Sequence, residues 1–119
     1  MNPPSLVTIH PYFQIHPGKR EAAVALLPLF VERTRTEAGC RFYEFTINGD
    51  LVFCREGYDS AEDALNHLAN VGDLLQKMLT VSDLARLELH GPAAELDHLR
   101  GPLAPYGASW FVRECGFLR

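Results

Sequence analysis

Cys40-Arg41-Phe42-Tyr43-Glu44-Phe45-Thr46-Ile47-Asn48-Gly49-Asp50-Leu51-Val52-Phe53-Cys54-Arg55-Glu56-Gly57-Tyr58 is the stretch on which the fold turns. An Asn-Gly step between two alternating apolar runs is the strongest short-range hairpin signal, because a tight primed turn needs positive φ at its centre. The stretch therefore reads as a strand over Cys40–Ile47, a turn at Asn48-Gly49-Asp50 and a second strand over Leu51–Tyr58. Side chains alternate across a strand. Phe42 then opposes Tyr43, Phe45 and Ile47, and Leu51 and Phe53 oppose Val52, Cys54 and Tyr58. Both faces are substantially apolar, a pattern that antiparallel strands with one wet face do not show. Each face needs a cover.

The flanking segments supply one of them. Residues 5–16 alternate as well, with Val7, Ile9, Phe13 and Ile15 on one side and Thr8, His10, Tyr12 and Gln14 on the other, so they form a strand. Pro11 has no N–H to give a ladder, which predicts an exposed stretch or a bulge there. Pro17-Gly18 ends the strand. Over 19–38, Ala23, Leu26, Leu27, Phe30 and Val31 recur at helical spacing; Pro28 should kink this helix and Gly39 supply a left-handed stop. Ser60-Ala61-Glu62-Asp63 is a capping box, opening a helix through Leu65 and Leu68 toward Asn70. A second helical piece carries Val71, Leu74, Leu75 and Met78 to about Thr80. Ser82–His90 alternates, with Leu87 and Leu89 opposite Arg86, Glu88 and His90. Pro92 sits in the first turn of a short helix over Ala93–Leu99, residues 101–107 form a Gly-Pro-rich loop, and Ser109–Phe117 is a last strand.

The order is β-α-β-β-α-β with an added helix and strand, an α+β plan of the ferredoxin-like kind, with an antiparallel sheet and its helices on one face. Residues 1–119 read as one domain, with a core over about 5–90 and a C-terminal extension over 91–119. The cheapest cover for the other face is a second copy of the same sheet, giving a twofold homodimer.

Composition agrees with this plan and excludes several classes. The chain has 119 residues, the modal size of one domain. Counted with Gly and without Tyr, apolar residues reach about 51 %, slightly above the usual range, which rules out disorder and hints at surplus apolar surface. A net charge of −4, with no basic run longer than Lys19-Arg20, argues against a nucleic-acid partner. Three scattered cysteines, Cys40, Cys54 and Cys115, are no disulfide framework and fit a reducing cytoplasm. The longest apolar run, Ala22 to Val31, is far short of the ~20 residues that cross a bilayer, so no membrane partner is expected. There is no Gly-rich phosphate loop, no Gly-x-Ser-x-Gly elbow, no His-Glu-x-x-His and no Cys-x-x-Cys. The five His are too dispersed to suggest a metal site.

Three segments carry a family resemblance: Pro17-Gly18-Lys19-Arg20-Glu21; Glu37-Ala38-Gly39-Cys40-Arg41-Phe42-Tyr43-Glu44-Phe45; and Arg55-Glu56-Gly57-Tyr58 running into the helix with His67. This pattern resembles the antibiotic biosynthesis monooxygenase family of dimeric α/β-barrel proteins, over roughly residues 5 to 80. The resemblance implies oxygenation of an electron-rich phenol, anthrone or quinol by O2, with no metal, flavin or other cofactor. An ionised phenol or enolate can pass oxygen one electron directly. The protein then supplies a dry pocket, a base and donors for the oxyanion. Two departures stand out: Tyr58 replaces the family's usual Trp, and the chain beyond residue 80 carries an additional helix and strand. The rival reading is a non-catalytic small-molecule-binding or accessory dimer. A haem-binding role is disfavoured, because Leu74–Leu79 offers Gln76 and Lys77 but no His.

Within the resemblance His67 is the candidate base, with Glu56 and Tyr58 beside it on the catalytic list. A blander role exists for each: His67 as a helix-surface residue, and Glu56 as the ion-pair partner of Arg55, Arg41 or Arg86. His10, Tyr12 and Gln14 form a polar-aromatic stripe suited to a substrate pocket or an interface. Arg86, Glu88 and His90 suit a solvated or cross-subunit ion-pair face. Trp110 is either a substrate contact or a packing anchor.

Overall fold

The structure is a computed structural model that describes residues 5–119. Its elements are β1 (Val7–Ile15), α1 (Arg20–Thr34), β2 (Cys40–Asn48), β3 (Leu51–Tyr58), α2 (Ala61–Asn70), α3 (Gly72–Val81), β4 (Ser82–Gly91), α4 (Ala93–Arg100) and β5 (Ser109–Val112), with a 3-10 turn at Ala104–Tyr106. The sheet order is β2-β3-β1-β4-β5. The first four strands pair antiparallel as expected, and β5 adds a parallel partner to β4, so the sheet is mixed. The last strand stops at Val112 rather than Phe117.

The hairpin forms with Asn48 opposite Leu51 and Gly49 at φ 62°. That register aligns Tyr43 with Glu56 and Phe45 with Cys54. Val52, Cys54, Glu56 and Tyr58 turn toward the helices together with Val7, Ile9, Phe13 and Ile15, and all are buried. Two apolar clusters fill the space beneath: one joins β1, β3 and β4 to α2 and α4 around Leu89, Leu96 and Leu99, the other joins the sheet to α1 and α3 around Phe30, Leu74 and Met78.

Two local expectations, at Gly39 and Pro92, are corrected, and the choice left open at Pro11 is decided. α1 ends at Thr34, several residues before Gly39, and Gly39 does not adopt a left-handed conformation. Its missing side chain serves close approach instead, since a Cβ there would lie 2.2 Å from Cγ of Asp63. Pro11 is not exposed: it is buried in a central strand, and the sheet accommodates it by a shift of register against β4 between Tyr12 and Phe13. Pro92 caps α4 from an extended conformation instead of lying in its first turn. The Ser60 half of the expected capping box is present, with Ser60 Oγ accepting from the Asp63 N–H at 3.2 Å, while the Asp63 carboxylate accepts from the Ser60 hydroxyl at 3.0 Å.

Among the described residues, no helix covers the other sheet face. Across it, Phe53, His10, His90 and Phe111 form a continuous row, with His10 stacked on Phe53 at 5.9 Å and His90 on Phe111 at 4.5 Å between ring centres. His10 and His90 meet edge to face at 4.8 Å, and Tyr12 leans on Phe53 at 4.8 Å.

Candidate active site

The sheet register and the start of α2 bring His67, Glu56 and Tyr58 together beneath the helices. Residues 56 and 58 lie on one face of β3 because strand side chains repeat every second residue. The Ser60 cap then starts α2 at a fixed point, and His67 falls in its last turn, over that face. All three side chains are buried, with exposures of 4 % for Glu56, 3 % for His67 and 0 % for Tyr58.

The contacts are specific. The Tyr58 hydroxyl donates to Glu56 Oε1 at 2.6 Å, and His67 Nε2 lies 3.3 Å from the same oxygen. On its other side, His67 Nδ1 meets Glu37 Oε2 at 2.9 Å and Oε1 at 3.2 Å. Asn70 Nδ2 donates to Glu37 Oε2 at 2.8 Å and to the Arg33 carbonyl at 3.1 Å, tying the loop after α1 to α2. With its proton on Nδ1, His67 donates to the Glu37 carboxylate. The His67 ring lies between two tyrosines, with centroids 5.2 Å from Tyr43 and 5.1 Å from Tyr58.

Burial pushes the Glu56 carboxyl above its ordinary value of 4.5, opposed by His67, the Tyr58 hydroxyl and the Cys54 thiol. Burial, then the Glu56 charge, also holds the Tyr43, Cys54 and Tyr58 acids well above their usual ranges. Burial and the charges of Glu37 and Glu56 push the Cys40 thiol up to about 11. Neither thiol is therefore a nucleophile near neutrality, since the thiolate is the reactive form. The ionisable groups left for proton transfer are Glu56 and His67.

Both face an apolar cavity of about 60 Å³ between sheet and helices. Phe13, Phe30, Phe45, Leu75, Met78 and Leu84 make up much of its wall, Tyr43 and Cys54 add polar atoms, and Leu103 and Tyr106 of the C-terminal extension lie at one side. The extension thus contributes to its own chain's cavity. No Lys or Arg lines it. Among the described residues no group of three His, Cys, Asp or Glu could hold a metal ion.

The remaining sequence candidates lie elsewhere. His10, Tyr12 and Gln14 are on the opposite, uncovered face, with Gln14 exposed near the Asp50 carbonyl. Burial and neighbouring His90 lower the pKa of His10. Arg86 and His90 flank Glu88 on that same face. Trp110 pairs with Leu89 on the helix side, beneath the Arg100 guanidinium at 4.9 Å, and packs on the core without reaching the cavity. Tyr43, Cys54, Glu37 and Asn70 were not singled out from sequence. The hairpin register contains the signal for Tyr43 and Cys54, because an Asn48–Leu51 pair implies Tyr43–Glu56 and Phe45–Cys54. Glu37 lies in an irregular turn, where no periodicity points to it.

This fold and site match a known family: the antibiotic biosynthesis monooxygenase model covers residues 6–72, and the chain belongs to that family. Rv0793 of Mycobacterium tuberculosis, curated as a candidate monooxygenase, is 33% identical over 95 residues, covering 71% of this chain and 94% of its own. Its solved structure superposes with a TM-score of 0.66, 25% identity, and coverage of 74% of this chain and 95% of that one. The crystal structure of MupZ from Pseudomonas fluorescens is more alike, with a TM-score of 0.91, 40% identity, and coverage of 97% and 95%. The likeness to MupZ therefore extends through the C-terminal helix and strand. Among the described residues no helix is long and apolar enough to cross a membrane.

Proposed function

We propose that the chain is a cytoplasmic, homodimeric monooxygenase that oxidises a phenolic, anthrone or quinol-type molecule with O2, using its own side chains as the acid–base machinery. The observation that carries this reading is the buried Glu56–His67 pair on the wall of an apolar cavity. Desolvation makes the Glu56 carboxylate a stronger base than in water, and the Tyr58 hydroxyl holds it in place. Removal of a proton from an anthrone CH2 leaves an enolate that gives one electron to O2. The radical pair joins to a carbon-bound peroxide anion, which takes back a proton to become the hydroperoxide. Loss of the remaining C–H proton with hydroxide, as water, leaves the carbonyl. One oxygen atom of O2 enters the product and the other leaves as water with the two substrate hydrogens. In this scheme the dimer forms through the uncovered sheet face, where Phe53, Tyr12 and Phe111 supply the apolar surface.

The test is oxygen uptake with a panel of anthrones and dihydroxynaphthalenes, comparing wild type with His67→Ala and Glu56→Gln. Turnover that falls ~10²–10⁴-fold in the variants is expected. No uptake with any member, or uptake untouched by both substitutions, sinks the proposal. Substrate conversion without oxygen uptake would replace oxygenation by proton transfer alone at the same site. One observation favours the non-catalytic reading: the cavity's 60 Å³ is well below the ~300–1,000 Å³ of pockets that hold drug-sized ligands. Under that reading the panel produces no turnover, and a member that binds gives a thermal shift alone. Under the enzyme reading the substrate enters by displacing the turn that carries Leu103 and Tyr106.

A further inference from the structure

The polar contacts do not stop at the cavity wall. His67 hydrogen-bonds outward through Nδ1 to Glu37 at 2.9 Å, and on the inner side its Nε2 lies 3.3 Å from Glu56 Oε1. Glu37 does not line the apolar cavity. It lines a separate, shallow indentation on the outer surface with Thr34, Arg35 and Cys40. The side-chain exposures are 5 % for Glu56 and 3 % for His67 but 12 % for Glu37, so only Glu37 meets solvent appreciably. Thr34 Oγ1, close to the Tyr43 hydroxyl but outside bonding geometry, is buried beside that indentation without a partner. Such an atom suits an ordered water at the outer end of the contacts.

We propose that Glu56, His67 and Glu37 form a proton path from the apolar cavity to the outer surface, with Glu37 as its solvent port. The inference rests on reading the cavity as the reaction site. A proton accepted by Glu56 passes to His67 Nε2 as the Nδ1 proton passes to Glu37, which releases it to water. Glu56 is ionised again, and the ring is left with its proton on Nε2. When the leaving oxygen is protonated, the same path runs inward and returns the ring to its first tautomer. Outward and inward transfers balance, as the overall stoichiometry of one ketone and one water requires. The Phe and Leu side chains that make up much of the wall carry no group that can exchange a proton. Glu37 is a positioning and proton-exchange residue, since it does not touch the cavity.

The groups facing the path are Tyr43 from β2, Cys54 and Tyr58 from β3, Asn70 from α2, and Cys40 beside Glu37. The tyrosine and cysteine acids are held above their usual ranges, which leaves Glu56, His67 and Glu37 as the exchanging groups.

The experiment reads His67 directly, without substrate, by nitrogen NMR of histidine-labelled full-length protein. In the wild type the Nδ1 proton is expected to exchange with solvent about tenfold or more faster than the amides of β1 and β3. Glu37→Gln retains an acceptor for Nδ1 but cannot carry a proton, and should slow that exchange about tenfold or more with the ring shifts little changed. Glu37→Asp should restore most of the rate. Wild-type exchange as slow as the core amides overturns the path, whether or not the Gln variant folds. So does a folded Glu37→Gln protein that exchanges at the wild-type rate. Because no turnover is involved, failure of every substrate in the oxygen assay leaves this measurement intact.

Discussion

Tyr58→Phe isolates the most consequential single bond in the site. The substitution keeps the ring that packs on His67 and removes only the hydroxyl donating to Glu56 Oε1 at 2.6 Å. Both residues are buried, so solvent cannot replace the lost donor. A hydrogen bond to a charged group contributes ~1.5–3 kcal/mol and one between neutral groups ~0.5–1.5 kcal/mol. The cost should therefore depend on the protonation state of Glu56. Its pKa in the fold is already raised by burial, so the carboxyl contributes stability below its ordinary value of 4.5 and loses it as pH rises. Removing the hydroxyl raises the folded value further and deepens the loss on the alkaline side. Urea titrations of both proteins from about pH 4 to pH 9 should show a penalty near 1 kcal/mol at the acid end, growing toward 2–3 kcal/mol at the alkaline end. In thermal scans the alkaline penalty corresponds to a drop of about 5–15 °C for a domain of this size. A penalty that is constant across the range, or that shrinks as pH rises, would refute the assignment of Glu56 as the titrating acceptor.

Glu56→Gln should stabilise the protein at about pH 8, where a buried carboxylate is costly, with the gain disappearing below about pH 4.5; a variant less stable than wild type at every pH contradicts this sign. Gly39→Ala forces a methyl against Asp63 and disturbs the Ser60 cap, costing at least about 1 kcal/mol. Adding Asp63→Ala should recover part of that loss in a double-mutant cycle, and strict additivity would show that the clash is not its cause. Phe53→Asp places a charge in the middle of the uncovered row; the wild type should sediment at twice 13.3 kDa and the variant at the monomer mass. A wild type that sediments as a monomer at micromolar concentration removes the dimer altogether.

Much of the fold was legible because its signals are local. Period-two runs marked the strands, the Asn-Gly step marked the hairpin, and the Ser60 box marked the start of α2 within a residue. Errors fell where tertiary context outweighs local preference. Gly39 looked like a helix stop because glycine tolerates positive φ, yet it is needed for the close approach of Asp63. At Pro11 the missing donor left an exposed stretch or a bulge open, and the register shift beside it, in a buried central strand, decides for the second. The last strand was read five residues too long: alternation continues to Phe117, but β4 offers ladder partners only as far as Val112.

The site divides in the same way. Alternation put Glu56 and Tyr58 on one face, and the cap put His67 on the helix that follows. Alternation also grouped His10, Tyr12 and Gln14, but it could not say which face of the sheet meets the helices. That choice is made by packing: Val7, Ile9 and Phe13 bury more apolar surface under α1–α4 than their neighbours would, and the polar-aromatic stripe is left outside. By itself, then, the sequence determined the order of elements, the place of the hairpin and the apolar character of both sheet faces, because these follow from spacing along the chain. Only the tertiary structure decided that the acid–base group lies beneath the helices, that Trp110 packs against the core, and that Glu37 closes the contacts around His67. Those outcomes depend on residues from an irregular turn, a strand and a helix meeting in space, which no periodicity encodes.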